Sequence, residues 1–551
     1  MKWELAHQTL VNSTSKGYGY KTVVMLKIIR VLLAVVFLLL FAFIFVDIKH
    51  VVPEKFLFYF TRFQLAPAVL STITIGGFAV FSLIFILLLT ALFGRVYCST
   101  LCPLGTLQDV VTRIFKPKKK KRRFKYHKPN NWLRYALFAA TAILLIFGSA
   151  LLLNLLDPYS NFGKIFSNLV RPVYMWANNQ LAAYYGNSYT VVPVEIKGFQ
   201  AAAIVYSVVF LGVVGFLAAW RGRLFCNTLC PVGACLSLLS RKSLVQIHLD
   251  HEKCNSCGLC AITCKAECID AKERKVDMSR CVGCFNCMSA CKSNGVLYTI
   301  PSNGKDAKTS DSTDEKRRFI LGGLIASAAS LTGLKAFAEE EEHTGRGRGR
   351  GRGRGQGNRG EPVPVVREFA ISPPGSQTHD HFNSKCTACH LCVTACPKQV
   401  LVPAFTEYGL MGILQPRLDY GVSFCNYECV VCSQVCPTGA IMPVNNEEKK
   451  LVQIGIAHFI RQNCVVITDK TDCGACAEHC PTQAVRMVRH RNGLFLPEVT
   501  DAICVGCGAC EHACPTDPKS IYVDGNPVHK PAELPQTEAI DKEIDFDEFP
   551  F

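Results

Sequence analysis

Residues 254–264 read CNSCGLCAITC, and residues 281–291 read CVGCFNCMSAC. Each stretch sets four cysteines at the spacing Cys-x2-Cys-x2-Cys-x3-Cys, with 16 residues between the two. Thiolates are soft ligands that hold iron in tetrahedral sulphur surroundings. At this spacing the first three wrap one cubane, and the fourth reaches to a neighbouring cluster. On that rule Cys254, Cys257, Cys260 and Cys291 hold one 4Fe-4S cluster, and Cys281, Cys284, Cys287 and Cys264 hold a second. Both fourth cysteines are followed by lysine, Lys265 and Lys292, where proline is usual. Those charges are expected to raise the cluster potentials.

Four more quartets lie downstream: Cys386, Cys389, Cys392, Cys396; Cys425, Cys429, Cys432, Cys436; Cys464, Cys473, Cys476, Cys480; and Cys504, Cys507, Cys510, Cys514. Each ends in Cys-Pro, at Pro397, Pro437, Pro481 and Pro515. Three residues precede Cys429 and eight precede Cys473, so these two sets start on longer loops. The motifs can cross with their neighbours or pair outer with outer and inner with inner; the spacing admits both. Either way six clusters are expected in the chain. Regular quartets ending in proline are not a disulphide framework, and six triplet-plus-one sets argue against zinc. Cys386-Thr-Ala-Cys389-His390 has the form of a c-type haem attachment site. Both of its cysteines already belong to a quartet, so His390 reads as an outer-shell or surface residue.

Apolar residues make up 49% of the 551-residue chain. They concentrate in runs near 29–48, 68–93, 132–156 and 200–220, each close to or above the roughly 20 residues that cross a bilayer core. Helices are the structure such runs adopt in lipid. Basic residues give the orientation: Lys21, Lys27 and Arg30 before the first run, Lys116 to Lys128 after the second, and Arg221, Arg223, Arg241 and Lys242 after the fourth. By the positive-inside rule the N-terminus, 94–131 and 221–316 are cytoplasmic, and the loops near 49–67 and 157–199 face outward. The basic loop then reads as a topology signal or a contact to anionic lipid. The net charge of +17 therefore does not imply a nucleic-acid partner.

Residues 312–340 carry Arg317-Arg318, a short apolar run and Ala336-Phe337-Ala338. This has the basic start, apolar middle and small-residue end of an export signal, similar to the twin-arginine type. An ordinary fifth membrane helix is the other reading, and both put 339–551 outside. Alternating glycine and arginine from Gly345 reads as a flexible linker. The expected organisation is a cytoplasmic segment 1–20, a membrane domain 21–240, a two-cluster domain 241–300, a signal or fifth helix at 301–340 and a linker at 341–375. A four-cluster domain at 376–530 and an acidic tail at 531–551 follow. The fold class is multi-domain: an alpha-helical transmembrane bundle of four to five helices with alpha+beta ferredoxin-like domains on both sides of the membrane.

Cys98, Cys102, Cys226 and Cys230 stand apart from the quartets. They belong to two copies of one design, Gly94-Arg-Val-Tyr-Cys98-Ser-Thr-Leu-Cys102-Pro-Leu-Gly105 and Arg223-Leu-Phe-Cys226-Asn-Thr-Leu-Cys230-Pro-Val-Gly233. Cysteines four apart at the start of a helix would share one face. Two such pairs could supply a seventh metal or cluster site, a redox dithiol, or plain packing. Cys235 and Cys268 fit no quartet.

These motifs resemble the membrane ferredoxin family associated with periplasmic nitrate reductase and methylamine utilisation. Residues 21–300, with the two Cys-x3-Cys-Pro motifs and the two-cluster domain, are similar to its membrane protein, and the regulatory membrane protein of nitrous-oxide reductase has similar motifs. Residues 312–520 look like the companion exported four-cluster ferredoxin, so the chain resembles a fusion of the two. The resemblance implies a bacterial cytoplasmic (inner) membrane protein that takes electrons from quinol and delivers them to a periplasmic reductase or other redox partner. Membrane lipid, the quinone pool and that acceptor are the implied partners. A quinone is expected near 49–67 or 157–199, with no proton acceptor identifiable from sequence. A quinol dehydrogenase catalytic subunit, and a maturation or reactivation factor for a periplasmic metalloenzyme, are the alternative functions. No residue is marked as catalytic.

Overall fold

The computed structural model describes residues 20–115, 124–186, 192–198, 200–300 and 362–534. The arginine pair Arg317-Arg318, the glycine-arginine run and residues 535–551 of the acidic tail lie outside the described residues, as does the basic run from Lys116 to Arg123.

Continuous apolar sequence makes Tyr20–Val46 one helix of 27 residues, about 40 Å long at 1.5 Å per residue. It and Ala201–Arg221 are the two helices among the described residues that are long and apolar enough to cross a membrane. Glu54–Thr61 and Leu65–Thr74 would together make a third, but they meet at 104°. The count is therefore two, or three with the bent pair, against the four to five expected. The expected second run stops at Gly76 and Gly77, whose positive φ angles of 72° and 58° end Leu65–Thr74 before Phe78–Phe93 begins. Gly148, at φ 76°, likewise separates Asn131–Ile146 from Leu151–Leu156. Such angles suit glycine and break helical hydrogen bonding.

The helices are apolar outside and polar within. Leu39 is 62% exposed and Phe216 66%, whereas Arg95 is 0% exposed. Arg62, Arg134, Arg223 and Lys164 are also fully buried. A broad apolar exterior marks a surface that meets something other than water, and this one is compatible with membrane association.

Three copies of one small unit hold the cysteine motifs. In each, a motif leads into a two-stranded antiparallel hairpin, and the hairpin leads into a second motif. The hairpins pair Ile269–Asp270 with Lys275–Val276, Leu401–Pro403 with Pro416–Leu418, and Val485–Arg489 with Phe495–Val499. In the first and third units a further strand pair closes the edge: Gln246–Leu249 with Val296–Thr299, and Val452–Phe459 with Ile521–Pro531.

The units occupy opposite ends of the Tyr20–Val46 helix. Near its start, Lys27 Nζ donates to Ser289 Oγ at 2.9 Å, in the first unit. Near its end, Ile44 shares a cavity wall with Leu391 and Thr394 of the second. Seventeen residues of helix, about 26 Å, separate these two contacts. The second unit is fastened by Arg62 Nη2 to Cys436 O at 3.2 Å, Thr74 Oγ1 to Thr438 O at 2.9 Å, Asn154 Nδ2 to Ile413 O at 2.6 Å and Arg171 Nη2 to Thr394 O at 3.0 Å.

Candidate metal centres

In each unit the third cysteine of a motif lies on a short helix. In five of the six motifs the fourth is the extended residue that ends the helix, as at Cys264, Cys291, Cys396, Cys436 and Cys514. Leaving the helix there carries the fourth thiol away from its own three partners.

The thiols accordingly group across motifs. Burial raises the Cys392 thiol well above its ordinary value, and Cys389, Cys386 and Cys436 raise it further. Cys432 is raised by burial and then by Cys425, Cys396 and Cys429 among its neighbours. Cys476 is pushed up to about 12 by burial, with Cys473 and Cys514 contributing. Cys510 is raised by burial and by Cys507, Cys504 and Cys480. In the first unit Cys260 is raised by burial and neighbours Cys254 and Cys291, while Cys287 is raised by burial and neighbours Cys284, Cys264 and Cys281. The downstream motifs are therefore grouped with their adjacent partners rather than nested.

Thiols crowded together and buried are costly to ionise unless a cationic core binds them. Among the described residues no three His, Cys, Asp or Glu side chains converge on a single-ion site. Backbone donors also face sulphur, with Ala388 N 3.4 Å from Cys386 Sγ and Ile441 N 3.5 Å from Cys436 Sγ. Such bonds tune cluster potential.

Two thiol groups of different units meet directly. Cys425 N donates to Cys507 O at 3.0 Å, and the Tyr420 hydroxyl donates to Gly506 O beside it. The four downstream groups thus form a line, with the Cys425 and Cys507 groups in the middle.

Cys98, Cys102, Cys226 and Cys230 are all buried and lie together, each pair among the other's charged neighbours. Their placement differs from the expected shared helix face. Cys98 sits in the short helix Tyr97–Thr100, but Cys102 is extended, at φ −77° and ψ 114°, and precedes the next helix, Pro103–Ile114. Cys226 and Cys230 repeat this, in Leu224–Thr228 and before Pro231–Ser240. The residue before proline is sterically barred from the helical region, so each Cys-Pro step ends one helix and starts another.

Around these thiols the charges are arranged for an anion. Arg95 Nη1 donates to Asn227 Oδ1 at 2.9 Å and to Ser279 O at 3.0 Å. Its Nη2 lies 3.8 Å from Cys98 Sγ. Arg223 pairs with Asp109 at 2.9 Å. Gln108 Oε1 faces Cys226 Sγ at 3.5 Å, while its buried Nε2 has no partner. Four soft donors, two buried guanidiniums and an unspent amide fit an iron-sulphur cluster.

This site touches both neighbours. Toward the first unit, Val96 packs on Gly283, next to Cys284. Lys265 Nζ meets Asp109 at 3.3 Å, and Arg223 N donates to Lys265 O at 3.0 Å. Lys265 is thus a docking residue whose charge is paired, which its place after a ligand position did not reveal. Toward the second unit, Tyr97 lies among Cys102, Asp157 and Cys98, and Tyr159 lies among Cys389, Asp157 and Cys436.

The structure decides one reading that the sequence left open and adds one residue that sequence reasoning missed. His390 is no surface residue: it is 1% exposed, its Nε2 donates to Leu414 O at 2.9 Å, and its Nδ1 lies 3.3 Å from Ser167 Oγ. Burial and then Lys164 push its pKa down to about 3. With both ring nitrogens engaged it seats the second unit on the helices. Cys268 has its sulphur 3.5 Å from Cys264 Sγ and Cys281 as a further thiol neighbour, so it is a fifth thiol beside the Cys264 group. Only its regular spacing from a ligand, four residues, could have drawn attention to it.

Comparison with known proteins agrees with this chemistry. A family described as "4Fe-4S binding domain" matches residues 75–122 and again 202–249, each copy containing one Cys-x3-Cys-Pro motif. A second, "4Fe-4S dicluster domain", matches residues 471–517. The uncharacterized protein MJ0749 of Methanocaldococcus jannaschii is 28% identical over 238 residues, 43% of this chain and 75% of that protein. Methylamine utilization ferredoxin-type protein MauM of Methylophilus methylotrophus is 29% identical over 156 residues, 26% of this chain and 65% of its own. Ferredoxin-type protein NapF of Escherichia coli is 26% identical over 136 residues, 25% of this chain and 74% of its own. No solved structure matches the chain. With its cysteine units, its two matched 4Fe-4S families and these relatives, the chain is similar to ferredoxin-type 4Fe-4S proteins of the NapF and MauM kind.

Proposed function

We propose that the chain is a membrane-bound electron-transfer protein that carries electrons from quinol, through 4Fe-4S centres, to a redox partner in the periplasm. The observation that supports this most is the line of thiol groups. It runs from the first unit, through Cys98, Cys102, Cys226 and Cys230, to the far end of the third unit.

Six centres would be held by the crossed sets. These are Cys254, Cys257, Cys260 and Cys291; Cys264, Cys281, Cys284 and Cys287; Cys386, Cys389, Cys392 and Cys436; Cys396, Cys425, Cys429 and Cys432; Cys464, Cys473, Cys476 and Cys514; and Cys480, Cys504, Cys507 and Cys510. A seventh would be held by the four Cys-x3-Cys-Pro thiols. When bound, such clusters supply one-electron transfer. The residues between groups keep water out and hold the units in contact: Val96 against Gly283, Tyr97 and Tyr159 in the middle, and Tyr420 against Gly506.

Orientation follows from charge. Lys27, Arg30, Arg221 and Arg223 sit at the end that carries the first unit, which under the positive-inside rule is the cytoplasmic end. The second and third units, behind the export-like segment at 312–340, would then be periplasmic.

The test is anaerobic purification of the full chain, followed by electron paramagnetic resonance after addition of a menaquinol analogue. Reduction of both the first-unit clusters and the downstream clusters is expected. Clusters that dithionite reduces and quinol does not would refute the quinol source and point to a cytoplasmic donor.

A further inference from the structure

A cavity of about 500 Å³ lies between the end of the Tyr20–Val46 helix and the second cysteine unit. That is within the range of small-molecule sites. Ile44 and Leu57 form its wall on the helical side, and Leu391 and Val431 form the wall opposite. The second wall matters because Leu391–Ala395 and Val431–Val435 are the short helices that carry Cys392 and Cys432. The cavity therefore abuts two adjacent thiol groups at once. The helices that supply Ile44 and Leu57 also expose Leu39, Phe43 and Phe56.

The polar part of its lining is Asp47, His50, Glu54 and Lys55. Asp47 is spent on its own loop, accepting from Lys49 N and Val52 N, both at 3.1 Å. That loop holds His50 at φ 50°, a left-handed angle uncommon for a residue with a side chain. Non-glycine residues persist there when their surroundings dictate it, often at functional sites. Burial lowers the His50 pKa, Asp47 and Glu54 oppose that and Arg171 adds to it, which favours the neutral ring. Neither the His50 nor the Glu54 side chain has a hydrogen-bond partner among the described residues.

An apolar chamber against two thiol groups, with two proton acceptors in its lining and apolar helix surface on the elements that wall it, matches one ligand chemistry. We propose that this cavity binds the head group of a lipid-soluble hydroquinone, with His50 and Glu54 taking its two protons. The inference rests on the electron-transfer reading above and gives it an entry site. Both quinol O–H bonds break and both ring oxygens become carbonyls. One proton goes to the His50 imidazole and one to the Glu54 carboxylate, and both leave through the exposed His50 side. The two electrons pass singly to the 4Fe-4S clusters that the Cys386 and Cys425 groups would hold, each cluster gaining one.

The experiment titrates the full, cluster-loaded chain in detergent with 2-heptyl-4-hydroxyquinoline N-oxide, a quinol-site probe whose fluorescence is quenched on binding. Val52→Trp and Leu57→Trp narrow the chamber, and His50→Gln and Glu54→Gln remove the acceptors. Dithionite-reduced spectra report that clusters and fold are intact, and Val52 lies at the half-buried rim, where a tryptophan is tolerated even if Leu57→Trp misfolds. One probe per chain is expected, with binding weakened about tenfold or more by the tryptophans, or at least about 1.4 kcal/mol. The acceptor variants should keep the probe and slow quinol-driven reduction about 100-fold, the scale of general base catalysis. Unchanged probe binding in both tryptophan variants overturns the site. Unchanged reduction in both acceptor variants overturns the proton assignment. If quinol reduces wild type and Val52→Trp equally, the electron-transfer reading stands and the site falls. If the probe binds here and quinol reduces nothing, binding stands, and the quinol source falls together with the proton roles.

Discussion

Arg95 and Arg223 hold equivalent places in the two Cys-x3-Cys-Pro motifs, and each reaches across to the other motif. Arg95 Nη2 donates to Cys226 O at 3.1 Å, and Arg223 Nη1 donates to Cys98 O. The two copies are thus fastened by a reciprocal exchange of guanidiniums, which brings both cysteine pairs to one place. Both arginines are buried, so the exchange is shielded from competing water.

Loss of either arm should be expensive. Burial by itself would raise the Asp109 carboxyl, but Arg223, Lys265 and Arg30 bring it well below the usual range. Arg223→Met leaves that carboxylate short of the cation that lowers it most and should cost about 3 kcal/mol, the low end for a broken buried pair, because Arg30 and Lys265 remain. Adding Asp109→Asn should cost less than the sum of the two single changes. Urea unfolding followed by loss of cluster absorbance measures both, and strict additivity would contradict the pairing.

The glycines two residues after each Cys-Pro step are as constrained as the arginines. A Cβ on Gly105 would collide with Cys98 O and come within 2.8 Å of Arg223 Nη1, and one on Gly233 would collide with Cys226 O and come within 2.7 Å of Arg95 Nη2. Gly105→Ala and Gly233→Ala should each destabilise by about 1–3 kcal/mol. They should also remove the Cys98 centre while sparing the other six, which iron analysis reads as a loss of about four iron atoms.

Crossed grouping predicts which serine substitutions share a cluster. Cys436→Ser combined with Cys389→Ser should lose one cluster, or about four iron atoms, because both thiols serve one centre. Cys436→Ser combined with Cys429→Ser should lose two. The opposite pattern, by iron content and resonance spectra, would mean that each motif holds its own cluster.

Gly163 decides how closely the second unit seats. A Cβ there would collide with Cys389 O and approach the Phe45 ring at 2.8 Å. Gly163→Ala should leave total iron unchanged and slow electron exchange between the Cys98 and Cys389 groups. Stopped-flow reduction of the first-unit clusters by quinol checks this, and wild-type kinetics would place the electron route elsewhere.

Much was legible in the chain itself. The cysteine spacing specified soft tetrahedral donors and pointed to clusters, because the ligand residues of each motif are local in sequence. The apolar runs of Tyr20–Val46 and Ala201–Arg221 could be read for the same reason: helix length and hydropathy are local properties. The interruption at Gly148 was harder to see than the Gly76-Gly77 pair, since a single glycine inside an apolar run is compatible with a continuous helix until the backbone adopts a positive φ.

What the residues alone determined, then, is the kind of metal chemistry, the repeat of the Arg-x2-Cys-x3-Cys-Pro design and the apolar segments. What only the tertiary structure decided is who meets whom: adjacent rather than nested thiol groups, the exchanged arginines, Lys265 on Asp109, His390 in an interior seat, and a cavity walled by residues near 50 and near 391 and 431. The reason is physical. Spacing along the chain fixes which donors can share a turn, but contacts between residues hundreds of positions apart depend on how helices and hairpins pack, and packing is a property of the whole fold.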